Sequence, residues 1–170
     1  MKTLYLLRHA KAEPGIAGGS DLDRPLSERG RAACAAIGAY MQAKNIMPSL
    51  VMSSPALRTK ETLQYVMKAA NKRFSEKTEP KLYLATAEEI MRVVRGQENS
   101  LSSVMVVGHN PGMHHAALLY AGAERTEHRV ALELKYPTGS FTILHFHCEQ
   151  WQDVVPGTGE LVDFVTPGQL

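Results

Sequence analysis

Cysteine is scarce in this chain: Cys34 and Cys148 are the only two among 170 residues, and neither belongs to a CxxC pair. A disulfide scaffold and a zinc ribbon are therefore excluded, and Cys34, on a helical apolar stripe, reads as a small core residue. No apolar run approaches the length needed to cross a bilayer. Met1-Lys2 leads straight into a strand pattern without a small-residue cleavage site, so the expectation is a cytoplasmic protein with no membrane association. A basic stripe is also missing. Lys and Arg are scattered, and with a formal charge of only +2 this argues against nucleic-acid binding. No repeat, low-complexity tract or long linker divides the sequence, so residues 1–170 are expected to form one domain. A chain of this size buries about 70% of the surface its unfolded form exposes, and 44% hydrophobic with 21% charged residues is ordinary for a globular protein.

What is present begins with Leu4 to Leu7, a continuous apolar run that ends abruptly in Arg8-His9. Such a run suits a strand covered on both faces of a parallel sheet, and ligands bind outside the carboxyl ends of those strands. On its own the pair reads as a surface Arg-His at a strand end. The rest of the chain changes that reading. A Gly-, Pro- and Asp-rich loop from Lys11 to Pro25 carries Arg24, and Ser27 caps a helix over Ala33, Ala36, Ile37, Tyr40 and Met41 that ends near Asn45. Leu50-Val51-Met52 predicts a second strand. Ser54 and Pro55 predict a helix start, which puts Arg58 in the first turn, where free N–H groups favour a phosphate.

Leu82-Tyr83-Leu84 predicts a third strand, and Thr86 with Glu89 a capping box before a helix on Ile90, Met91 and Val94. Ser103 to Val107 predicts a fourth strand, ending at Gly108-His109, with Asn110-Pro111 opening the next helix. Beyond Gly122 the pattern is strand-like only at Phe141 to Phe146, after a Thr138-Gly139 turn, and around Leu161 to Val165. The alternation of strands and helices predicts a three-layer α/β/α fold with a mostly parallel central sheet. Its strand ends would gather Arg8, His9, Arg58 and His109 in one pocket, with no carboxylate adjacent in sequence. Two guanidinium groups and two imidazoles together call for an anion, and the planar fork of Arg matches phosphoryl oxygens.

Three segments, Leu6-Leu7-Arg8-His9-Ala10, Ser53-Ser54-Pro55-Ala56-Leu57-Arg58-Thr59 and Val107-Gly108-His109-Asn110-Pro111-Gly112, resemble the signatures of the histidine phosphatase superfamily. More narrowly, the chain is similar to the small SixA-type phosphohistidine phosphatases, through Asp23-Arg24-Pro25-Leu26-Ser27, the Tyr136-Pro137-Thr138-Gly139 turn and the tryptophan-containing tail. The resemblance implies a minimal phosphoglycerate-mutase-like fold without an inserted lid, and a covalent mechanism in which His9 attacks phosphorus and water releases the phosphohistidine. Arg8 and Arg58 would clamp the equatorial oxygens and His109 donate a further hydrogen bond, with Arg24 and Asn110 as substrate contacts. His9 would need its attacking nitrogen unprotonated and its other nitrogen fixed by a partner such as a backbone carbonyl.

Sugar-phosphate members of the superfamily take a general acid from an inserted segment that this sequence lacks. Among the glutamates, Glu13, Glu88 and Glu89 lie near a relevant loop or helix start; Glu89 is accounted for as a cap, leaving Glu13 as the candidate. A missing acid suits a P–N bond, because an imidazole leaves with little assistance whereas an alkoxide needs a proton. The expected substrate is a phosphohistidine-bearing protein, either a phosphotransfer domain or a phosphocarrier. The alternatives are a phosphomonoesterase for small metabolites and a non-catalytic phosphate-binding module. No cofactor and no metal are expected: His145 and His147 share a strand face and His114-His115 adds two imidazoles, yet no carboxylate or cysteine completes a ligand set. A monomer is expected.

Overall fold

The computed structural model describes all of Met1–Leu170 and is organised around one six-stranded sheet. The strands are β1 (Lys2–Arg8), β2 (Leu50–Ser53), β3 (Glu76–Thr78), β4 (Ser103–Gly108), β5 (Phe141–Phe146) and β6 (Glu160–Val165). They lie in the order β3-β2-β4-β1-β5-β6. β1, β4, β2 and β3 run parallel, while β5 pairs antiparallel with β1 and β6 antiparallel with β5. Crossover helices enforce the parallel part. They are α1 (Glu28–Ala43), α2 (Leu57–Ala70) and α3 (Ala87–Arg95), followed by α4 (Gly112–Tyr120) and α5 (Glu127–Leu134).

Alternation along the central strands divides the core between two faces. Leu4, Leu6, Val104 and Val106 pack with Ile90, Met91, Val94, Met113 and Trp151, whereas Leu7, Met105 and Val107 pack with Cys34, Ile37, Leu63 and Val66. Both faces of β1 and β4 are thus covered by helices. That explains continuous apolar runs where a half-exposed strand would alternate.

Ser27 caps α1 by accepting from the Gly30 N–H, and Thr86 caps α3 by accepting from the Glu89 N–H. α2, however, starts at Leu57, later than the Ser54-Pro55 pair predicts, with Ala56 at its cap and no side-chain cap bond. Ser54 Oγ accepts from the Ala56 N–H at 3.2 Å, just ahead of the helix, and also faces the His109 ring. The third strand is Glu76–Thr78, an exposed edge strand with no apolar signal, and Leu82 sits in a short 3-10 turn over Pro80–Leu82. Leu82 is buried as a plug in the core, and its hydrophobicity mimics a strand it does not form. α5 escapes the periodicity because Leu132 is its only buried residue. Arg129 ties it down, donating to the carbonyls of Leu118, Ala121 and Gly122.

Candidate active site

The parallel strands β1, β2 and β4 end side by side, which fixes where the site forms. In the β1–β4 register Arg8 lies opposite Gly108, and in the β2–β4 register Ser53 lies opposite Val107. The His9 N–H donates to the Gly108 carbonyl at 3.0 Å and the Ser54 N–H to the Val107 carbonyl at 3.1 Å, so pairing extends just past the strand ends. The chain then turns into α2 and α4. Gly112 is obligatory at the second turn, because a Cβ there would stand 1.9 Å from the Ala85 carbonyl oxygen.

Arg8, His9, Arg58 and His109 meet at this edge and line one cavity of about 200 Å³ together with Arg24 and Asn110. The rings of His9 and His109 have centroids 5.3 Å apart, and Arg58 Nη2 lies 3.4 Å from His109 Nδ1. Arg58, His9 and His109 are buried. The Nε–H groups of Arg8 and Arg58 are the only buried side-chain polar atoms left without a partner anywhere in the chain. Buried N–H groups are otherwise paired almost without exception, so two orphans on the two arginines of one cavity mark a place made for an anion.

His9 is held in a defined tautomer. Its Nδ1–H donates to the Ala10 carbonyl at 2.7 Å, which leaves the Nε2 lone pair free. Burial, reinforced by the charges of Arg58, Arg8 and Arg24 against that carbonyl bond, lowers its pKa to about 4. The ring is therefore neutral and nucleophilic at pH 7. Thr62, one turn beyond Arg58 on α2, locks the same peptide: its Oγ1 accepts from the Ala10 N–H at 3.0 Å and donates to the Arg58 carbonyl at 2.6 Å. One buried hydroxyl thus joins the backbone beside His9 to the helix turn bearing Arg58.

His109 is neutral for the same reasons, its pKa lowered to about 3 by burial first and then by His9 and Arg58. Arg58 Nη2 can only donate, so it places the ring proton on Nε2, which faces Ser54 Oγ at 2.8 Å. His109 donates into the cavity only in the other tautomer, with the Ser54 hydroxyl turned to give its hydrogen to Nε2. Arg8 is anchored from behind, Nη1 donating to the Tyr136 carbonyl at 2.8 Å. Asn110 Nδ2 donates to that same carbonyl at 3.0 Å and its Oδ1 accepts from the His114 N–H, so Asn110 lines the cavity as a strut. His114 stacks on Tyr136 and donates to the Leu132 carbonyl; its place is behind the site.

The absence of a carboxylate inferred from sequence adjacency does not hold in space. Asp21, in the loop after β1, accepts from Arg58 Nη2 at 3.0 Å through its carboxylate and from Arg58 Nη1 at 2.8 Å through its carbonyl. Arg24 and the Tyr83 hydroxyl also donate to the Asp21 carboxylate. The Tyr83 ring meets His109 edge-on at 5.6 Å. Tyr83, then Arg24 and Arg58, hold the Asp21 carboxyl far below the usual range, so it stays ionised and offers no proton. Nothing in the sequence flagged Asp21 or Tyr83, since they are 62 positions apart and neither belongs to a motif.

Glu13 touches the site only through its backbone carbonyl, which accepts from Arg24 Nε at 2.9 Å. Glu88 lies in a separate surface cleft with Arg92 and Arg95. His115 and His147 are exposed, and His145 pairs across the sheet with Thr3. No three His, Cys, Asp or Glu side chains gather closely enough to hold a metal ion, and no helix is long and apolar enough to cross a membrane.

Comparison with known proteins agrees with this geometry. The profile of the histidine phosphatase superfamily (branch 1) matches residues 4–83. An uncharacterized protein of Mycobacterium tuberculosis is 31% identical over 95% of this chain and 99% of its own. Among solved structures, SixA from Agrobacterium tumefaciens shares 30% identity over 98% of both chains with a TM-score of 0.80. SixA from Nakamurella multipartitia shares 26% over 98% of this chain and 96% of that one, with a TM-score of 0.83. With its three strand ends carrying the signature segments and both chains matched end to end, this chain belongs to the histidine phosphatase superfamily, as a SixA-type member.

Proposed function

We propose that this phosphatase hydrolyses phosphohistidine on a partner protein, a phosphotransfer domain or phosphocarrier, and that it needs no metal. The observation that carries the reading is the character of the cavity. Its volume of about 200 Å³ falls below the ~300–1,000 Å³ of pockets that enclose small molecules. It admits a phosphoryl group and leaves the rest of the substrate outside.

His9 Nε2 attacks phosphorus in line, the P–N bond to the substrate imidazole breaks, and a phosphohistidine forms on His9. The leaving ring departs neutral after taking a proton from solvent on its other nitrogen, so the enzyme supplies no acid. Asp21 is the one carboxylate beside the arginines, and its three donors keep it ionised. An alkoxide leaving group would find no proton here, which counts against a small phosphate ester. Arg8 and Arg58 neutralise the equatorial oxygens of a loose transition state. Water then attacks the phosphoenzyme, releasing phosphate and restoring neutral His9.

The test is phosphate release from a histidine-phosphorylated carrier protein in EDTA by wild type, His9→Ala and Arg58→Ala. Turnover should vanish in His9→Ala and fall about a hundredfold or more in Arg58→Ala. A wild-type rate no faster than spontaneous hydrolysis, beside rapid hydrolysis of a small phosphate ester, would replace this reading with the phosphomonoesterase one.

A further inference from the structure

We propose that Leu22, Leu57 and Leu84 form an apolar lip at the mouth of the cavity, on which the phosphohistidine-bearing protein docks; this rests on the function proposed above. An exposed leucine on its own is unremarkable on any protein surface. The placement of these three is what carries weight. Asp21, Arg58 and Tyr83 are joined by hydrogen bonds into one cluster at the cavity. Each is followed or preceded in the chain by an exposed leucine: Leu22 at 38%, Leu57 at 37% and Leu84 at 56% exposure. Consecutive Cα atoms stand about 3.8 Å apart, so all three leucines lie within one residue of the same polar knot.

Leu84 adds a second observation. Its φ of 50° puts it in the left-handed region, where a side chain is strained and where glycine is at home. Packing inside the chain does not offset that strain, since more than half of the residue faces solvent, and Leu84 reaches the wall of the cavity itself. Strained backbone that displays an apolar side chain beside reactive groups is a mark of recognition.

The chemistry of the occupant follows from the surroundings. Lys11 lines the same mouth with no carboxylate partner, whereas Arg24 is shared with Asp21, so the partner should carry an acidic residue facing Lys11. Leu84 lines the cavity, while Leu22 and Leu57 add exposed apolar surface on two other segments beside it. Such a surface suits a folded protein with apolar residues around its phosphohistidine, whereas a small phosphate compound held in the cavity meets Leu84 alone.

The experiment compares kcat/KM on a histidine-phosphorylated phosphotransfer domain with kcat/KM on N-phosphoimidazole, for wild type, L22S/L57S and L84G. The expected result is a fall of about tenfold or more in the protein-to-small-substrate ratio for L22S/L57S, carried mainly by KM on the protein. L84G should lower the ratio too while melting no earlier than wild type, because glycine relieves the left-handed residue; this separates lost recognition from lost folding. A ratio within twofold of wild type in both variants, with wild type active on the protein, overturns the lip and leaves the proposed function standing. Wild type active on N-phosphoimidazole but inert towards the protein overturns both.

Discussion

The charge state of His9 can be tested without any assumption about substrate. Burial and three guanidinium groups bring its pKa from the ordinary 6.5 to about 4. At pH 5.5 an ordinary imidazole is only about 10% neutral, whereas His9 should be mostly neutral. The folded state then binds fewer protons than the unfolded one between those two pKa values. Stability from this group is therefore complete above pH 6.5 and is lost as pH falls towards 4. Integrated from pH 7.5 to 4.5, the loss is on the order of 2–3 kcal/mol for His9. The assays are NMR titration of the histidine rings and urea unfolding over that range, for wild type and His9→Gln. The His9 resonance should hardly move above pH 5, and His9→Gln should have a shallower stability slope. A His9 resonance titrating at 6.5 or above, or an identical slope in His9→Gln, would refute the argument that burial and guanidinium charge keep this imidazole neutral.

Thr62→Val keeps shape but leaves the buried Ala10 N–H unpaired, a loss of about 1–3 kcal/mol in stability. The Ala10 carbonyl that orients His9 loosens with it, so kcat should fall roughly tenfold while Thr62→Ser stays near wild type; stopped-flow phosphate release and thermal melts check both. Asp21→Asn removes the only negative charge among the arginines. Inorganic phosphate should then inhibit more tightly while kcat falls about tenfold because Arg58 loses its orienting partner, and weaker phosphate inhibition would contradict the charge argument. Gly112→Ala forces a Cβ to within 1.9 Å of the Ala85 carbonyl oxygen, and should lower stability by about 3 kcal/mol in urea titration.

The central strands and the four basic site residues were legible because each depends on local chemistry. Leu4 to Leu7 and Val104 to Val107 are apolar throughout because both faces are covered, and parallel pairing lines up their ends, so Arg8, His9 and His109 had to converge. β3 was not legible. It is held by main-chain bonds to β2 with every side chain exposed, so its residues answer to solvent and carry no period. The same logic hid Asp21, Tyr83, Thr62 and Ser54, whose roles come from long-range hydrogen bonds between polar side chains that would look equally at home on a surface. Ser54 shows how a local rule misleads: a serine before proline is a good helix cap, yet its hydroxyl faces His109 Nε2.

Departures from ordinary protein chemistry gather at one edge of the sheet. The two unpartnered buried N–H groups, on Arg8 and Arg58, are there, as are the two imidazoles held neutral at pH 7 and the left-handed Leu84. Elsewhere the same rules are obeyed: buried Lys2 donates to the carbonyls of Asn99 and Leu101, and buried Trp151 Nε1 to Leu101. A sequence under selection for folding alone would not concentrate unsatisfied donors and strain in a single cavity. An entering phosphoryl group would bring negative charge against Arg8 and Arg58, and acceptor oxygens into the cavity that both residues line. The site is therefore incomplete as a piece of folded protein and complete only around its anion, which is the sense in which catalysis is built into this edge.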